Sequence, residues 1–322
     1  LRMLETYGLG GILADDMGLG KTLQILTLLA SVYGEKGQRG PSLVVCPASL
    51  IYNWGHECSV FVPGLRVLLV AGSLKERQAL LKKAGEYEVI VTSYDLLKRD
   101  LAAYQEIEFS FLILDEAQFI KNAATQTARA VKSVRAAARF ALTGSPIDMG
   151  LGELWSVFDF LLPGFLFSYR AFKERYEDPI IKEESAAALE ELRRMIRPFV
   201  LRRLKSDVLQ ELPGKQEKVV YSAASGRQQA LYRAEALRLK TRLCQAGEEQ
   251  MKSARIEILA MLTRLRQICC DPSLCYENYN SGSAKLETAV SLIGSAVEGG
   301  HKLLVFSQFA SMLETIKERL EK

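Results

Sequence analysis

The sequence lacks the features that mark metal-binding, disulfide-linked and membrane proteins. Its six cysteines show no repeated pair spacing, and Cys269, Cys270 and Cys275 with His301 do not match the spacing of a zinc module. No apolar run approaches the roughly 18 residues of a membrane span. No charged-then-apolar leader opens the chain, so secretion is not expected. These absences favour free thiols in a reducing compartment, and neither zinc nor a membrane is an expected partner.

The remaining composition is that of an ordinary globular protein. The 322 residues are 48% apolar and 25% charged, which is enough apolar material for more than one domain. The formal net charge of +4 is mild. It permits a nucleic-acid partner, although binding would then depend on a local basic face.

The first 150 residues alternate apolar runs with helical patterns. The runs are nearly continuous, which is typical of strands buried on both faces of a parallel sheet. They are GGILA (Gly10 to Ala14), SLVVCP (Ser42 to Pro47), RVLLVAG (Arg66 to Gly72), YEVIVTSY (Tyr87 to Tyr94), FLILDEA (Phe111 to Ala117) and RFALTGSP (Arg139 to Pro146). Helical patterns lie at Lys21 to Tyr33, Leu74 to Ala84 and Gln126 to Ala138. The alternation predicts an α/β domain with helices on both sides of the sheet.

The strand signal fades after residue 164. Helical, heavily charged sequence fills Tyr169 to Leu212, and a second helical region covers Ser225 to Cys270. Single strands are predicted at Lys215 to Ala223 and at KLLVFS (Lys302 to Ser307). Helices are predicted on either side of the second strand, at Lys285 to Val297 and Ala310 to Glu321. The sequence therefore predicts one complete α/β domain, a helical middle and the first strand-helix unit of a second domain.

The stretch LADDMGLGKTLQ, from Leu13 to Gln24, resembles a phosphate-binding loop. Gly18 and Gly20 allow the backbone to curl so that its N–H groups face phosphates, Lys21 supplies a positive charge, and Thr22 offers a hydroxyl to Mg²⁺. The usual first glycine of the pattern is replaced by Asp15. Taken alone, the stretch is also compatible with a glycine-rich turn before a helix.

A pair of acids provides the second half of a nucleotide site. Asp115 and Glu116 follow the apolar run that begins at Phe111. In a nucleoside triphosphatase the first acid would hold Mg²⁺, and the second would orient and deprotonate water. Two solvated acids at a strand end are the alternative. Both patterns in one α/β domain, in this order, favour the triphosphatase.

Five ordered motifs resemble those of the Swi/Snf-like ATPases, which are motors of helicase superfamily two that translocate on double-stranded DNA. The resemblance continues through IRPFVLRRLKSDVLQELPGK, LTRLRQICCDPSL and KLLVFSQFASML, and the DEAQ spelling is closer to bacterial or archaeal members. Motifs I, Ia, Ib, II and III correspond in order to GGILADDMGLGKTLQ, SLVVCPASLIYNWGHE, VIVTSYDLLKRD, LILDEAQFIKN and FALTGSPIDMGLGELWSVFDFLLPG.

The resemblance implies an α/β fold with a RecA-like ATP-binding lobe at residues 1–165, its helical protrusion at 166–214, a linker strand and second protrusion at 215–283, and the start of a second lobe at 284–322. It implies ATP and Mg²⁺ as cofactors and double-stranded DNA as partner. Lys21, Asp115 and Glu116 are the implied catalytic residues, and Thr22 and Asp115 the implied Mg²⁺ ligands. The implied nucleotide-binding residues are Asp16, Met17, Gly18, Leu19, Gly20, Lys21 and Thr22.

The same resemblance assigns coupling and DNA-contact roles. A role in coupling the nucleotide state to DNA binding is implied for Gln118, Thr143, Gly144 and Ser145. DNA contacts are implied for Pro47, Ala48, Ser49, Trp54, Thr92, Ser93, Tyr94, Lys98, Ser307 and Gln308. Loop hydroxyls also cap helices, and Trp54 is equally compatible with a packing role. For the cluster Arg202, Arg203 and Lys205 three roles stay open: contact with DNA phosphate, bracing of two lobes, or a solvated helix face.

Several positions depart from the family pattern. Met149 stands where Asn is usual and Asp271 where His is usual. The segment that reads adenine, and motifs V and VI with their γ-phosphate arginines, have no counterpart in the sequence, so low activity of these residues alone is expected. A strand-separating helicase and a nucleotide- and DNA-binding module without turnover are the alternatives. The expected location is the nucleoid of a prokaryote or the nucleus of a eukaryote, and the displaced target is not predicted.

Overall fold

The computed structural model describes residues 1–34, 40–144, 150–209, 211, 216–224, 226–245 and 248–321. The chain divides into two compact units, which we call unit 1 (Leu1–Gly214) and unit 2 (Lys215–Lys322). The four-part division expected from the sequence stays a prediction. In the ranges above, no helix is both long enough and apolar enough to span a membrane.

Unit 1 is built around a seven-stranded sheet in which every pairing is parallel. The order across the sheet is β3-β4-β2-β5-β6-β1-β7. The strands are β1 (Gly11–Leu13), β2 (Ser42–Cys46), β3 (Val67–Leu69), β4 (Val89–Ser93), β5 (Phe109–Leu114), β6 (Ala136–Leu142) and β7 (Val200–Leu201). The predicted α/β class and its parallel sheet are confirmed.

Helices connect the strands of unit 1. They are α1 (Arg2–Thr6), α2 (Lys21–Gly34), α3 (Ile51–Phe61), α4 (Leu74–Leu81), α5 (Tyr94–Arg99), α6 (Leu101–Gln105), α7 (Gln126–Ser133), α8 (Leu151–Leu161), α9 (Tyr169–Phe172), α10 (Asp178–Lys182), α11 (Ala186–Ile196) and α12 (Lys205–Val208). Short 3-10 turns lie at Ala48–Leu50, Ala84–Glu86, Ala117–Ile120 and Arg197–Phe199, and a π-helical turn at Lys173–Glu177.

The two faces of the sheet pack against separate apolar clusters. In β5, Phe111 and Ile113 join one cluster, while Leu112 and Leu114 join the other. This alternation follows from the two-residue period of a strand. Because helices cover both faces, the central strands need apolar residues at every position. That requirement explains why they read as continuous apolar runs.

Two elements of unit 1 differ from the prediction. The helix expected to reach Ala138 ends at Ser133, and Ala136 already belongs to β6. Alanine favours a helix locally, but Ala136 and Ala138 pair with β5 in the sheet. The stretch 169–212, expected to be helical throughout, contains β7, which pairs with β1. A neighbouring strand therefore decides the structure in both places.

Unit 2 is helical in its described part. Its helices are α13 (Gly226–Gln245), α14 (Glu248–Cys270), α15 (Ala284–Glu298) and α16 (Ala310–Leu320), with a 3-10 turn at Pro272–Leu274. The helical region expected over residues 225–270 is confirmed in its described residues by α13 and α14. A small cluster of Leu286, Met312 and Ile316 forms its core.

The two strands predicted for unit 2 are not formed. Residues 216–224 and 301–307 have extended or irregular backbone without ladder hydrogen bonds, and Lys215 lies outside the described residues. Leu304 and Phe306 are 84% and 87% exposed. An apolar run becomes a strand only when a neighbouring strand supplies backbone hydrogen-bond partners and other elements bury its side chains. No such neighbouring strand occurs in the described part of unit 2.

Candidate nucleotide site

The segments that follow five neighbouring strands meet at one edge of the sheet. The order β4-β2-β5-β6-β1 and the parallel pairing place all five carboxyl ends together. Ligands of open α/β sheets bind at this edge. Every site residue predicted in unit 1 lies in or after one of these strands, which brings motifs I, Ia, Ib, II and III to a common surface.

The loop after β1 has the backbone of a phosphate-binding loop. Gly18 and Gly20 adopt φ angles of 86° and 73°, which L side chains rarely occupy. The 14-residue helix α2 begins at Lys21, so its N-terminal N–H groups and dipole face the loop. The Lys21 ammonium donates to the carbonyl oxygens of Asp15 (2.8 Å) and Asp16 (3.4 Å). The loop therefore curls around this ammonium.

Asp15, the residue at the usual glycine position, is fully buried and paired with Arg203. The backbone N–H of Arg203 donates to Asp15 Oδ1 at 2.9 Å, and its Nε lies 3.1 Å from both carboxylate oxygens. Gln24 Nε2 donates to Oδ2 at 3.1 Å. Burial alone raises the pKa of Asp15, but the hydrogen bonds from Arg203 and Gln24 outweigh it and lower the pKa below its ordinary value. Asp15 is thus an anchoring residue of the loop.

The segment that carries Arg203 runs beside the phosphate loop. In β7, Leu201 pairs with Leu13, and its carbonyl accepts from the Ala14 N–H at 2.7 Å. Asp16 N–H donates to the Arg203 carbonyl at 3.0 Å, and Lys205 N–H donates to Asp16 Oδ2 at 2.9 Å. We call residues 200–205 the loop-bracing segment.

The loop-bracing segment shows what the basic cluster contacts within unit 1, and the three roles left open for the cluster stay predictions. Arg203 and Lys205 contact the phosphate loop of their own unit, whereas Arg202 is exposed and makes no described hydrogen bond. Sequence reasoning missed this contact. The signal was Asp15 itself, because a buried carboxylate requires a cationic partner. It did not tell which of the 42 lysines and arginines that partner is.

Two side chains and one backbone N–H group donate hydrogen bonds to Asp115. The Trp54 indole donates to Asp115 Oδ2 at 2.9 Å, and the Glu116 N–H donates to Oδ1 at 3.0 Å. The Tyr94 hydroxyl donates to the Asp115 carbonyl at 2.8 Å. Burial raises the pKa of Asp115 and the charge of Glu116 adds to the rise, while the Trp54 hydrogen bond and the charge of Lys21 oppose it. Lys21 is therefore within electrostatic reach of Asp115.

A chain of hydrogen bonds leads from the acidic pair to the end of β6. Glu116 has a left-handed backbone, with φ 54° and ψ 59°, which turns the chain sharply after Asp115. Gln118 Nε2 donates to Glu116 Oε2 at 2.8 Å, and the Thr143 hydroxyl donates to Gln118 Oε1 at 3.5 Å. Gly144 lies against the phosphate loop, since a Cβ there would approach Met17 Cγ to 3.2 Å.

Three of the four predicted coupling residues are thus brought together. Gln118 and Thr143 connect motif II to motif III, and Gly144 connects motif III to motif I. The fourth, Ser145, lies outside the described residues. The role itself stays a prediction.

Four residues predicted to contact DNA have buried side chains. These are Trp54, Thr92, Ser93 and Tyr94. The Thr92 hydroxyl donates to the Val70 carbonyl at 3.3 Å, and Ser93 accepts from the Leu96 N–H as the N-cap of α5. Trp54 and Tyr94 hold Asp115, as described above. Each of these side chains is packed and hydrogen-bonded inside unit 1, and their DNA-contact roles stay predictions.

The other predicted DNA contacts are more accessible and stay predictions. Ala48 and Ser49 are exposed and Pro47 is half-buried, all after β2. Lys98 is partly exposed and pairs with Asp95 at 3.0 Å. In unit 2, the Ser307 hydroxyl accepts from the Phe309 N–H at 3.1 Å, and Gln308 accepts from the Arg266 guanidinium.

The donor groups of the site suit a hard divalent cation. Asp115 offers carboxylate oxygens and Thr22 a hydroxyl, which are ligands that Mg²⁺ accepts when phosphate oxygens and water complete its shell. No cluster of three or more His, Cys, Asp or Glu occurs in the ranges that the structure describes. The two donors Asp115 and Thr22 fit a Mg²⁺ ion whose remaining ligands come from a nucleotide and water.

Comparison with known proteins gives consistent results. Residues 1–274 match the model of the SNF2-related domain. The chain is 36% identical to an uncharacterized ATP-dependent helicase of Mycoplasma pneumoniae, over 99% of this chain and 30% of that protein. It is 37% identical to a TATA-binding protein-associated factor of Saccharomyces cerevisiae, over 85% of this chain and 16% of that protein. The chain thus spans less than a third of these relatives.

A solved structure is similar over nearly the whole chain. It is the SWI2/SNF2 ATPase core of Sulfolobus solfataricus in complex with double-stranded DNA, with a TM-score of 0.63 and 37% identity. The alignment covers 98% of this chain and 66% of that one. The family expected from the sequence motifs is confirmed.

Proposed function

The chain belongs to the SNF2-related family of ATP-dependent helicases and translocases, and from that premise we propose that it is the nucleotide-binding core of a motor that moves along double-stranded DNA without separating the strands. ATP and Mg²⁺ are the proposed cofactors. The observation that carries the proposal is the convergence of Lys21 and Asp115 at one sheet edge, close enough for the lysine to affect the pKa of the acid.

The phosphate loop is the proposed triphosphate cradle. Lys21 and the N–H groups around Gly18 and Gly20 would contact the β- and γ-phosphates. Thr22 and Asp115 would hold Mg²⁺, which neutralises charge on the phosphates when bound. Trp54 keeps one oxygen of Asp115 occupied by a hydrogen bond at 2.9 Å and so fixes the carboxylate plane. The orientation of the metal ligand is therefore set by the packing of α3.

Glu116 is the proposed base that orients water and takes its proton. Its backbone is left-handed, and Gln118 Nε2 donates to its Oε2 at 2.8 Å. A single bound amide leaves the other carboxylate oxygen available for water. Since Gln118 also accepts from Thr143, a change at the end of β6 would alter the position of the base. This is the proposed route by which DNA binding is coupled to ATP hydrolysis.

DNA is proposed to lie along the segment after β2. The support is the similarity to an ATPase core solved with double-stranded DNA and the exposure of Ala48 and Ser49. Backbone N–H groups and small hydroxyls meet phosphates without reading sequence. Such binding suits a motor that moves along any duplex.

Steady-state ATPase assays of the full-length protein, with and without duplex DNA, test the catalytic assignment. Glu116→Gln should lower turnover about 10²–10⁴-fold while ATP still binds, and Lys21→Ala should weaken ATP binding itself. Lys182→Ala, a change in an exposed lysine of α10 that pairs with Asp178, is the matched control. Unchanged turnover in Glu116→Gln would overturn the role of the base, and ATP binding without any turnover would favour a binding module.

Strand-displacement assays test the mode of movement. The expected result is ATP-dependent displacement of the third strand of a DNA triplex with the duplex left intact. Unwinding of duplex DNA or RNA would instead identify a strand-separating helicase and contradict the proposal.

A further inference from the structure

The loop-bracing segment brings a second lysine to the phosphate loop. Lys205 Cε and Nζ each lie 3.4 Å from the position that a Cβ on Gly18 would occupy. Gly18 is one of the two glycines whose positive φ shapes the cradle. The ammonium of Lys205 therefore lies beside the part of the loop that faces phosphate in proteins of this kind.

The backbone around Lys205 is fixed on both sides. Its own N–H donates to Asp16 Oδ2 at 2.9 Å, and Arg203, two residues earlier, forms the ion pair with buried Asp15. These bonds hold the Lys205 Cα, and the four-carbon side chain then reaches Gly18. The anchoring reduces the conformational entropy that a free loop lysine would lose on binding a ligand.

The ammonium of Lys205 has no protein anion to satisfy it. Among the residues that the structure describes, no carboxylate lies within ion-pair distance of its Nζ, whereas Arg203 of the same segment is paired. Lys21 is already engaged with the loop carbonyls of Asp15 and Asp16. An exposed, unpaired cation held over a phosphate cradle is a group ready to bind an anion.

We propose that Lys205 is a second cationic ligand of the β- and γ-phosphates of the bound nucleotide, positioned by the Arg203–Asp15 ion pair. The inference rests on the proposed function of the loop as an ATP site. It assigns to residues 200–205 a role in nucleotide binding within unit 1. For the cluster of Arg202, Arg203 and Lys205 the sequence had left open DNA contact, bracing of two lobes or a solvated helix face.

Equilibrium binding of ATP, ADP and AMP to the full-length protein with Mg²⁺ tests the proposal. Lys205→Met should weaken ATP binding about tenfold, the size of one charge-assisted hydrogen bond. ADP should be affected less and AMP not at all, because AMP lacks the contacted phosphates. Lys205→Arg should retain most of the affinity. Arg202→Met, an exposed neighbour with no described bond to the loop, is the matched control.

A double-mutant cycle tests the positioning role of Arg203. Arg203→Met should weaken ATP binding, and combining it with Lys205→Met should add less than the sum of the two effects. Rescue by Arg203→Lys should be partial, because lysine cannot form the two-pronged contact with Asp15. Fully additive losses would show that Arg203 does not act through Lys205.

The outcomes separate this proposal from the assignment of the site. If the wild-type protein does not bind ATP, or if Lys21→Ala binds it normally, the assignment of the nucleotide site fails. If Lys21→Ala loses ATP while Lys205→Met binds it like the wild type, only the role of Lys205 is overturned. Equal losses for ATP, ADP and AMP in Lys205→Met would mean general damage to the loop and would also overturn it.

Discussion

Residues 89–93 and residues 302–307 look alike in sequence, yet only the first stretch forms a strand. Both are short runs rich in Val, Leu, Ile or Phe. VIVTS pairs with β2 and β3 and is buried at every position as β4. KLLVFS has no ladder partner in the described part of unit 2, and Phe306 is 87% exposed. Apolar composition marks a strand candidate, and neighbouring strands decide its structure.

The same contrast extends to the functional residues. In unit 1 the sheet brings five segments to one edge, and Trp54, Tyr94, Gln118 and Arg203 each contact a motif distant in sequence. In unit 2 the described core is a cluster around Leu286. Unit 1 is closely packed, whereas residues 302–307 are not. Substitutions in the two regions should therefore differ in their effect on the free energy of unfolding.

The largest effect is expected for Phe140→Ala in β6. Strand β6 lies between β1 and β5 in the sheet, and the side chain of Phe140 is fully buried in the apolar cluster on one face. Its removal leaves a cavity and should lower the free energy of unfolding by about 3–5 kcal/mol. The two tryptophans, Trp54 and Trp155, both lie in unit 1. Urea unfolding followed by tryptophan fluorescence therefore reports on this unit.

The control for this change is Phe61→Ala, at an exposed position of α3. It should change the free energy of unfolding by about 0.5 kcal/mol or less. Similar losses for the two variants would contradict the assignment of Phe140 to a close-packed core.

A smaller loss is expected for Trp54→Phe. The change keeps most of the apolar volume but removes the indole donor from the half-buried Asp115 carboxylate. Loss of a hydrogen bond to a charged group should cost about 1–3 kcal/mol, measured by urea unfolding with the remaining Trp155 as reporter. In Trp155→Phe the lost bond is to the carbonyl of Phe167, and a smaller cost is expected. A reversed order would show that Trp54 acts only through packing.

The Asp15–Arg203 ion pair should make the free energy of unfolding depend on pH. The pKa of Asp15 in the folded chain lies below its ordinary value of 3.8, so the stabilisation is present above that value and is lost as the pH falls through the folded pKa. Arg203→Met should therefore cost about 1–2 kcal/mol at pH 7 and progressively less toward pH 3. Urea unfolding across this range measures the difference, with Arg202→Met as control. A constant difference would exclude the ion pair as its source.

The smallest effect is expected for Phe306→Ala in unit 2. Because this side chain is 87% exposed, its loss should change stability by about 0.5 kcal/mol or less. Unit 2 has no tryptophan and is helical in its described part, so far-UV circular dichroism during urea unfolding is the appropriate signal. A loss as large as that of Phe140→Ala would show that residues 302–307 are packed in solution, and would remove the contrast with β4.

Features encoded within a few residues were predictable from the sequence. The phosphate loop depends on Gly18, Gly20 and Lys21, which lie within four positions of one another, and its backbone has the expected geometry. The strands of the sheet were found because residues such as Ile113 and Leu114 must be apolar when both faces are covered. Local chemistry was sufficient in these cases.

Features that depend on distant partners were not predictable. Arg203 is 188 positions from Asp15, and Trp54 is 61 positions from Asp115. The burial of Thr92 and Ser93 likewise depends on the strands and helices around them, and their DNA-contact roles stay predictions. Charge and hydroxyl content identify candidates, but the topology decides which of them face solvent and which hold a neighbour.

The pairing of β7 with β1 has a consequence for synthesis of the chain. Asp15 is synthesised 188 residues before Arg203, the residue that it pairs with in the folded unit. At about 5–20 residues per second the interval is roughly 10–40 s. Throughout that time the carboxylate of Asp15 lacks the guanidinium that pairs with it in the folded unit. The hydrogen bonds of Asp15 and Asp16 with residues 203–205 therefore form only after most of unit 1 has been translated.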